Sequence, residues 1–310
     1  MEQAQIDQMN AEFWNELCGT GFAKHLGITD HSPESLKRFD DGYFQLYPYF
    51  LPIINPGRTA GKDVLEVGLG YGSLGQKLAE AGARYNGLDI APNAVRMTNL
   101  RLQLQGFSGR AIEGSALAMP FRDESFDFVF SIGCMHHTGN VQRCFDETFR
   151  VLRPGGTAVL MVYNKFSWRQ WSHWPLVTTR ELLREWGLWR RKAQSTEAQR
   201  HAFDHNGAGA AAPETTFHSR RELRSLLQRF ENVSLQKQNS DSLCLPGGKW
   251  GRGLVKLLLW PLRLVGMRFD SGVLIDRSWL LGNVGRWMGL DIYIEARKPN
   301  QVRPEVHLAA

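Results

Sequence analysis

The sequence predicts an α/β protein, a parallel sheet with helices on both faces, built around a nucleoside site. Three observations carry that prediction. From Asp63 to Tyr163, short apolar runs alternate with amphipathic stretches, the pattern of strand–helix–strand units. The first run ends in a glycine-rich turn, Asp63-Val64-Leu65-Glu66-Val67-Gly68-Leu69-Gly70-Tyr71-Gly72. The second ends in a carboxylate, Asp89, about twenty residues on, the spacing at which an acid meets ribose hydroxyls.

Residues 1–60 read as a helical cover. Asp7–Leu17 has a helix pattern, Cys18-Gly19-Thr20-Gly21 reads as a turn, and Tyr43–Leu51 is dense in aromatics. Phe13, Trp14 and Tyr43 are candidates for a lid; a helix that simply covers the sheet explains them equally well. Strands are expected at Asp63–Val67, Tyr85–Asp89, Arg110–Glu113, Phe126–Ser131 and Thr157–Tyr163. Helices are expected at Ser73–Ala81, Pro92–Gln105 and Val141–Leu152, with Pro92 suited to a first helical turn. Beyond Tyr163 the chain becomes rich in Trp and Arg up to about Gln194, then passes through a small-residue loop at Asn206–Pro213. Ser219 with Glu222 forms a capping box for a helix bearing Leu223, Leu226 and Leu227. Strands at Asn232–Gln238 and Leu290–Ala296 and a polar tail follow.

Bulk properties bound the answer without choosing it. The chain has 310 residues, long enough for one large domain or two small ones, and a formal net charge of +6. That charge permits a nucleic acid or an anionic membrane and selects neither. The four cysteines (Cys18, Cys134, Cys144, Cys244) are scattered, so neither a zinc site nor a disulfide frame is expected. Met1–Asn10 is polar and unlike a secretory leader, and a reducing cytoplasmic home is expected.

Two cofactor classes compete for the glycine turn. Gly70-Tyr71-Gly72-Ser73-Leu74-Gly75 satisfies the dinucleotide fingerprint, which favours an NAD(P)-dependent oxidoreductase. Glu66 opposes it: a carboxylate at the strand end repels a pyrophosphate and suits a cationic ligand. Glu66, Gly68, Gly70 and Gly72 together resemble the E/D-x-G-x-G-x-G turn of class I S-adenosylmethionine-dependent methyltransferases. The resemblance continues through Gly114–Phe121, Ser125–Ser131, Cys134-Met135-His136-His137 and Phe149–Gly156. It covers 61–163 strongly, the C-terminal third weakly, and is nearest the UbiE-like (type 11) group acting on small molecules and lipids.

The resemblance implies a Rossmann-like sheet of seven strands, the last antiparallel between the fifth and sixth. Residues 61–163 would then be the S-adenosylmethionine-binding core, 218–240 its last helix and sixth strand, and 289–310 the final strand and tail. Two helical insertions leave that frame, 164–217 on the acceptor side and 241–288. Cofactor contacts fall on Glu66, Gly68, Gly70, Gly72, Asp89, Ile90, Ser115, Ala116 and Ser131. Ser115 stands where the family usually carries Asp beside the adenine amino group, and Met119 would pack near the base. The alternative for Asp89 is a helix N-cap. His136 and His137 are the candidate proton acceptors, one of them structural. Tyr43, Gly133, Tyr163 and Asn164 would line the acceptor pocket, while Asp204, His205 and Asn206 form a polar group that could reach the site from above, a solvated loop being the favoured reading.

The expected reaction is methyl transfer to a small-molecule or lipid-like acceptor, at oxygen first, then sulfur or carbon. No N-P-P-Y or D-P-P-Y follows the fourth strand, no Pro-Cys dipeptide occurs and no metal-ligand cluster is expected. Nucleic acid is therefore disfavoured as substrate, although an RNA methyltransferase stays an alternative. Residues 249–268 carry Leu, Val and Trp among Lys249, Arg252, Lys256, Arg263 and Arg268, with Pro261 and no acid. Such a segment fits the surface of an anionic membrane or a helix pair packed on the protein's own core. Oligomeric state is not readable.

Overall fold

The computed structural model describes residues 2–17, 20–191, 193–239 and 284–300. Seven strands form one sheet: β1 (Asp63–Val67), β2 (Arg84–Asp89), β3 (Arg110–Glu113), β4 (Phe126–Ile132), β5 (Leu152–Tyr163), β6 (Glu231–Gln238) and β7 (Asp291–Arg297), in the order β3-β2-β1-β4-β5-β7-β6. Strands β1 to β5 run parallel, and β7 lies antiparallel between β5 and β6. The order reverses between β2 and β4 around β1. This is the switch point at which open α/β sheets hold ligands at their carboxyl ends.

Side chains alternate along each strand, so the two faces bury different sets. Val64, Phe130 and Val159 pack with Leu74 and Leu78 of α5 (Ser73–Glu80), Leu102 of α6 (Pro92–Leu104) and Ile54 of α4 (Phe50–Ile54). Leu65, Val129 and Leu160 pack on the other face with Phe145 and Phe149 of α7 (Val141–Val151) and Leu223 of α11 (Arg220–Leu226). The expected capping box forms there: Ser219 Oγ accepts from the Glu222 amide and the Glu222 side chain accepts from the Ser219 amide.

The N-terminal cover consists of α1 (Gln3–Leu17), α2 (Thr20–His25) and α3 (Pro33–Leu46) ahead of α4. Thr20 and Gly21, expected in a turn, are helical. Arg101 of α6, fully buried, clamps α3 to the core. Its guanidinium donates to both carboxylate oxygens of Asp40 at 2.9 and 3.0 Å and to Gln76 at 2.8 Å.

Strand β5 begins at Leu152, five residues earlier than expected. Arg153–Gly156 bulge out between the Phe126–Leu152 and Phe128–Thr157 pairs of β4 and β5, and Gly155 and Gly156 exchange backbone hydrogen bonds with Lys298 beyond β7. Within the first insertion, α8 (Trp168–His173), α9 (Pro175–Glu185) and α10 (Glu197–Phe203) form. Lys165 and Arg184 bridge Glu181 and Glu222, tying this insertion to α11. Of the second insertion only α12 (Val284–Met288) is described, so the expectation for 249–268 lies outside the described residues. No helix among the described residues is long and apolar enough to cross a membrane.

Candidate active site

A cavity of about 590 Å³ opens at the carboxyl ends of β1, β2, β3 and β4, within the range of small-ligand sites. Its floor is the turn after β1. Gly68 has φ +83°, and a Cβ there would lie 2.3 Å from Cys134 Cβ, so the β1 and β4 loops meet only because the side chain is missing. Gly70 has φ +54° with open space above it, leaving the backbone bare toward a ligand.

Asp89 ends β2 and lines this cavity. Its Oδ2 accepts from the Leu69 amide at 2.6 Å and its Oδ1 from the Ala91 amide at 2.8 Å. Ala91, not Asp89, is the N-cap of α6. The amides orient the carboxylate and leave a lone pair on each oxygen for a diol. Burial raises its pKa, partly offset by those amides.

Ile90, Ser115, Ala116, Gly133 and Tyr43 also line the cavity, and so does Trp14 of the cover. Besides His136, five other expected site residues do not reach it. Glu66 shares the face of β1 that carries Val64, and its Oε2 accepts from Tyr85 Oη at 2.6 Å beneath α5. Burial pushes its pKa up to about 8. Gly72 caps α5, and a Cβ there would meet the Arg101 side chain, so it serves packing. Ser131 is buried in β4. Asn164 donates to the Gly289 carbonyl at 2.7 Å and accepts from the Phe166 amide at 3.1 Å, fastening the start of the insertion. Tyr163 stands behind the wall, its ring against His136, Phe203 and Phe217. Met119 is also buried outside the lining.

The two histidines separate on the short helical turn Met135–His137. His136 is fully buried between the rings of Tyr163 and His137, each 4.1 Å away. Burial and the neighbouring histidines hold its pKa well below 6.5, so it is neutral and structural. His137 lines the cavity. Its Nδ1 lies 2.8 Å from the Glu214 carbonyl oxygen, an acceptor only, so Nδ1 carries the proton and Nε2 the lone pair. Nε2 faces Asp204 Oδ2 at 3.6 Å.

Asp204 takes the less favoured of its two expected placements. It follows α10 and lines the cavity, and its oxygens accept from Tyr163 Oη at 3.0 and 3.1 Å. Burial raises its pKa while His137 opposes the rise. Asp7 and Asn10 of α1 also line the cavity and were not anticipated. The stripe Ile6, Asn10, Phe13, Trp14 has helical spacing and was the one available signal. Asn10 Nδ2 donates to the His137 carbonyl at 2.7 Å, and Gln3 Nε2 to the Thr138 carbonyl at 2.8 Å. The cover is thereby bonded to the Met135–His137 turn and to Thr138 beyond it.

Among the described residues the lining holds three carboxylates (Asp7, Asp89, Asp204) and no lysine or arginine. That charge suits a cationic nucleoside and disfavours a pyrophosphate.

Residues 65–160 match a protein-family model described as a methyltransferase domain. A demethylmenaquinone methyltransferase of Tropheryma whipplei (strain Twist) is 34% identical over 109 residues, covering 35% of this chain and 44% of that protein. A sterol 4-C-methyltransferase of Caenorhabditis elegans is 32% identical over 157 residues, covering 44% and 47%. The chain thus spans less than half the length of these curated relatives. A chain of the solved complex between the Haloferax volcanii Trm112 methyltransferase activator and a methyltransferase shares the fold. Its TM-score is 0.51 at 15% identity, over 86% of this chain and 95% of that one.

Proposed function

We propose that residues 65–160, which match a methyltransferase-domain model, form a class I S-adenosylmethionine-dependent methyltransferase domain of the UbiE-like type, and that this chain methylates a small or lipid-like acceptor, at a hydroxyl oxygen before sulfur or carbon. The carrying observation is that Asp89, Gly70 and His137 line one cavity whose lining, among the described residues, holds no lysine or arginine.

Gly68 and Gly70 would pass beneath the amino-acid and sugar portions of the cofactor, Asp89 would accept its ribose hydroxyls, and Ile90 and Ala116 would flank the base. When bound, S-adenosylmethionine supplies a methyl group on a positively charged sulfur that is a ready leaving group. The protein's part is alignment and proton removal. His137 Nε2 takes the acceptor's proton, and Asp204 stabilises the imidazolium that results. Tyr43, Phe22 and Tyr47 add aromatic rings to the cavity lining, in keeping with a greasy acceptor. The sterol and menaquinone methyltransferases that the chain resembles support this acceptor class. The chain would work in the cytoplasm, with 249–268 against the membrane surface from which such an acceptor is drawn.

Isothermal titration tests the cofactor. S-adenosylhomocysteine is expected to bind and NADH not, with Asp89→Ala weakening binding by about a hundredfold, two charge-assisted hydrogen bonds being lost. Unchanged affinity in that variant overturns the assignment. Labelled methyl transfer to a quinol or sterol in liposomes, against short water-soluble analogues, tests the acceptor.

A further inference from the structure

Asp7 is a cavity-lining carboxylate that the proposed mechanism does not use. It projects from α1 and meets the loop after β3. Ser115 Oγ donates to its Oδ2 at 3.3 Å, and Gln3 Nε2 donates to its Oδ1 at 2.8 Å. The same Gln3 amide donates to the Thr138 carbonyl, so Asp7 is held by a bridge between α1 and the loop that follows β4. The Ser115 contact is long for a hydroxyl donor, and an incoming donor can replace it.

The position is informative. With Asp89 assigned to the sugar, Ile90, Ser115 and Ala116 line the same cavity beside it and would flank the base. Asp7 is the carboxylate that meets Ser115 there. An ionised carboxylate only accepts hydrogen bonds. It favours a purine edge carrying an amino group and repels one carrying a carbonyl oxygen, whose lone pairs would face its charge.

We infer that Asp7, supplied by the N-terminal helix, reads the 6-amino group of the cofactor's purine and makes the site selective for adenine over hypoxanthine. This rests on the cofactor assignment above. It makes α1 part of the nucleoside site, so a ligand that engages Asp7 also draws α1 onto the Met135–His137 turn.

The test is calorimetric titration of the full chain with S-adenosylhomocysteine and with its deaminated analogue S-inosylhomocysteine. Wild type should prefer the adenosyl compound by about tenfold or more. Asp7→Asn should narrow the ratio to about twofold, chiefly by binding the inosyl compound more tightly, because the amide can turn its NH2 to the 6-oxo group. A gain in affinity cannot come from misfolding. An unchanged ratio in Asp7→Asn, or no preference in wild type, overturns the inference. If wild type binds neither compound, the cofactor assignment fails first and this inference falls with it.

Discussion

Nε2 of His137 stands 3.6 Å from Oδ2 of Asp204, while its Nδ1 is committed to the Glu214 carbonyl. The ring is locked in the tautomer that leaves Nε2 its lone pair, and that atom is buried without a hydrogen-bond partner among the described residues. The carboxylate lies just outside hydrogen-bonding reach, where it attracts an imidazolium without occupying the lone pair. Burial depresses the His137 pKa and Asp204 partly restores it.

This pair makes the first prediction. His137→Gln should lower kcat by about 10²- to 10⁴-fold, the usual worth of a positioned base, with S-adenosylhomocysteine affinity unchanged. The wild-type rate should be flat above about pH 6.5 and fall at lower pH as Nε2 is protonated. Asp204→Asn removes the charge that raises the His137 pKa, so its acid limb should move to lower pH while its plateau falls. A pH profile of single-turnover transfer checks both; an acid limb that stays put in Asp204→Asn removes Asp204 from the mechanism.

Glu66 makes a prediction about stability. Its pKa is near 8 in the fold and about 4.3 in an unfolded chain. Between those values the native state holds a proton that the unfolded state has lost, so stability declines as pH rises through this window and levels off above it. Each tenfold in proton affinity is worth about 1.4 kcal/mol. Glu66→Gln, which mimics the protonated side chain, should differ little from wild type at pH 5. It should be more stable by a few kcal/mol at pH 9. Urea melts at the two pH values measure it; parallel melts at both would count against a buried, protonated Glu66.

Asp40→Ala tests the clamp between α3 and the core. It leaves the Arg101 guanidinium buried without its carboxylate, a change that costs about 3–5 kcal/mol. A double variant, Asp40→Ala with Arg101→Met, should recover much of the loss because no unpaired charge remains. Chemical denaturation of the four proteins closes the cycle, and additive losses would argue against direct coupling.

Gly68→Ala should damage binding and stability together. The new methyl would sit 2.3 Å from Cys134 Cβ, at a φ that side chains avoid, so the β1 and β4 loops must part. A loss of about 1–3 kcal/mol is expected. Adding Cys134→Gly should return part of it by removing the clash but not the backbone strain.

The elements from Asp63 to Tyr163 were legible because the signal there is local. Apolar runs of strand length, a proline at the start of α6 and glycines at positive φ each act within a few residues. The main boundary shift there is at β5, which starts at Leu152 ahead of a bulge whose glycines bond the Lys298 backbone. Side-chain direction was less legible. Glu66 lies in the most recognisable motif of the chain, yet strand alternation turns it beneath α5 to Tyr85. His136 and His137 are neighbours in sequence, and the short helical turn sends one into the core and the other to the cavity.

By itself the sequence determined the α/β order, the bare glycine turn and the acid at the end of β2, since these depend on backbone sterics and spacing along one chain. Only the tertiary structure decided that Asp204 of an insertion and Asp7 of the first helix join them. Neither belongs to a periodic motif, and what brings each to the cavity is a partner from a distant element: His137 for one, Ser115 for the other.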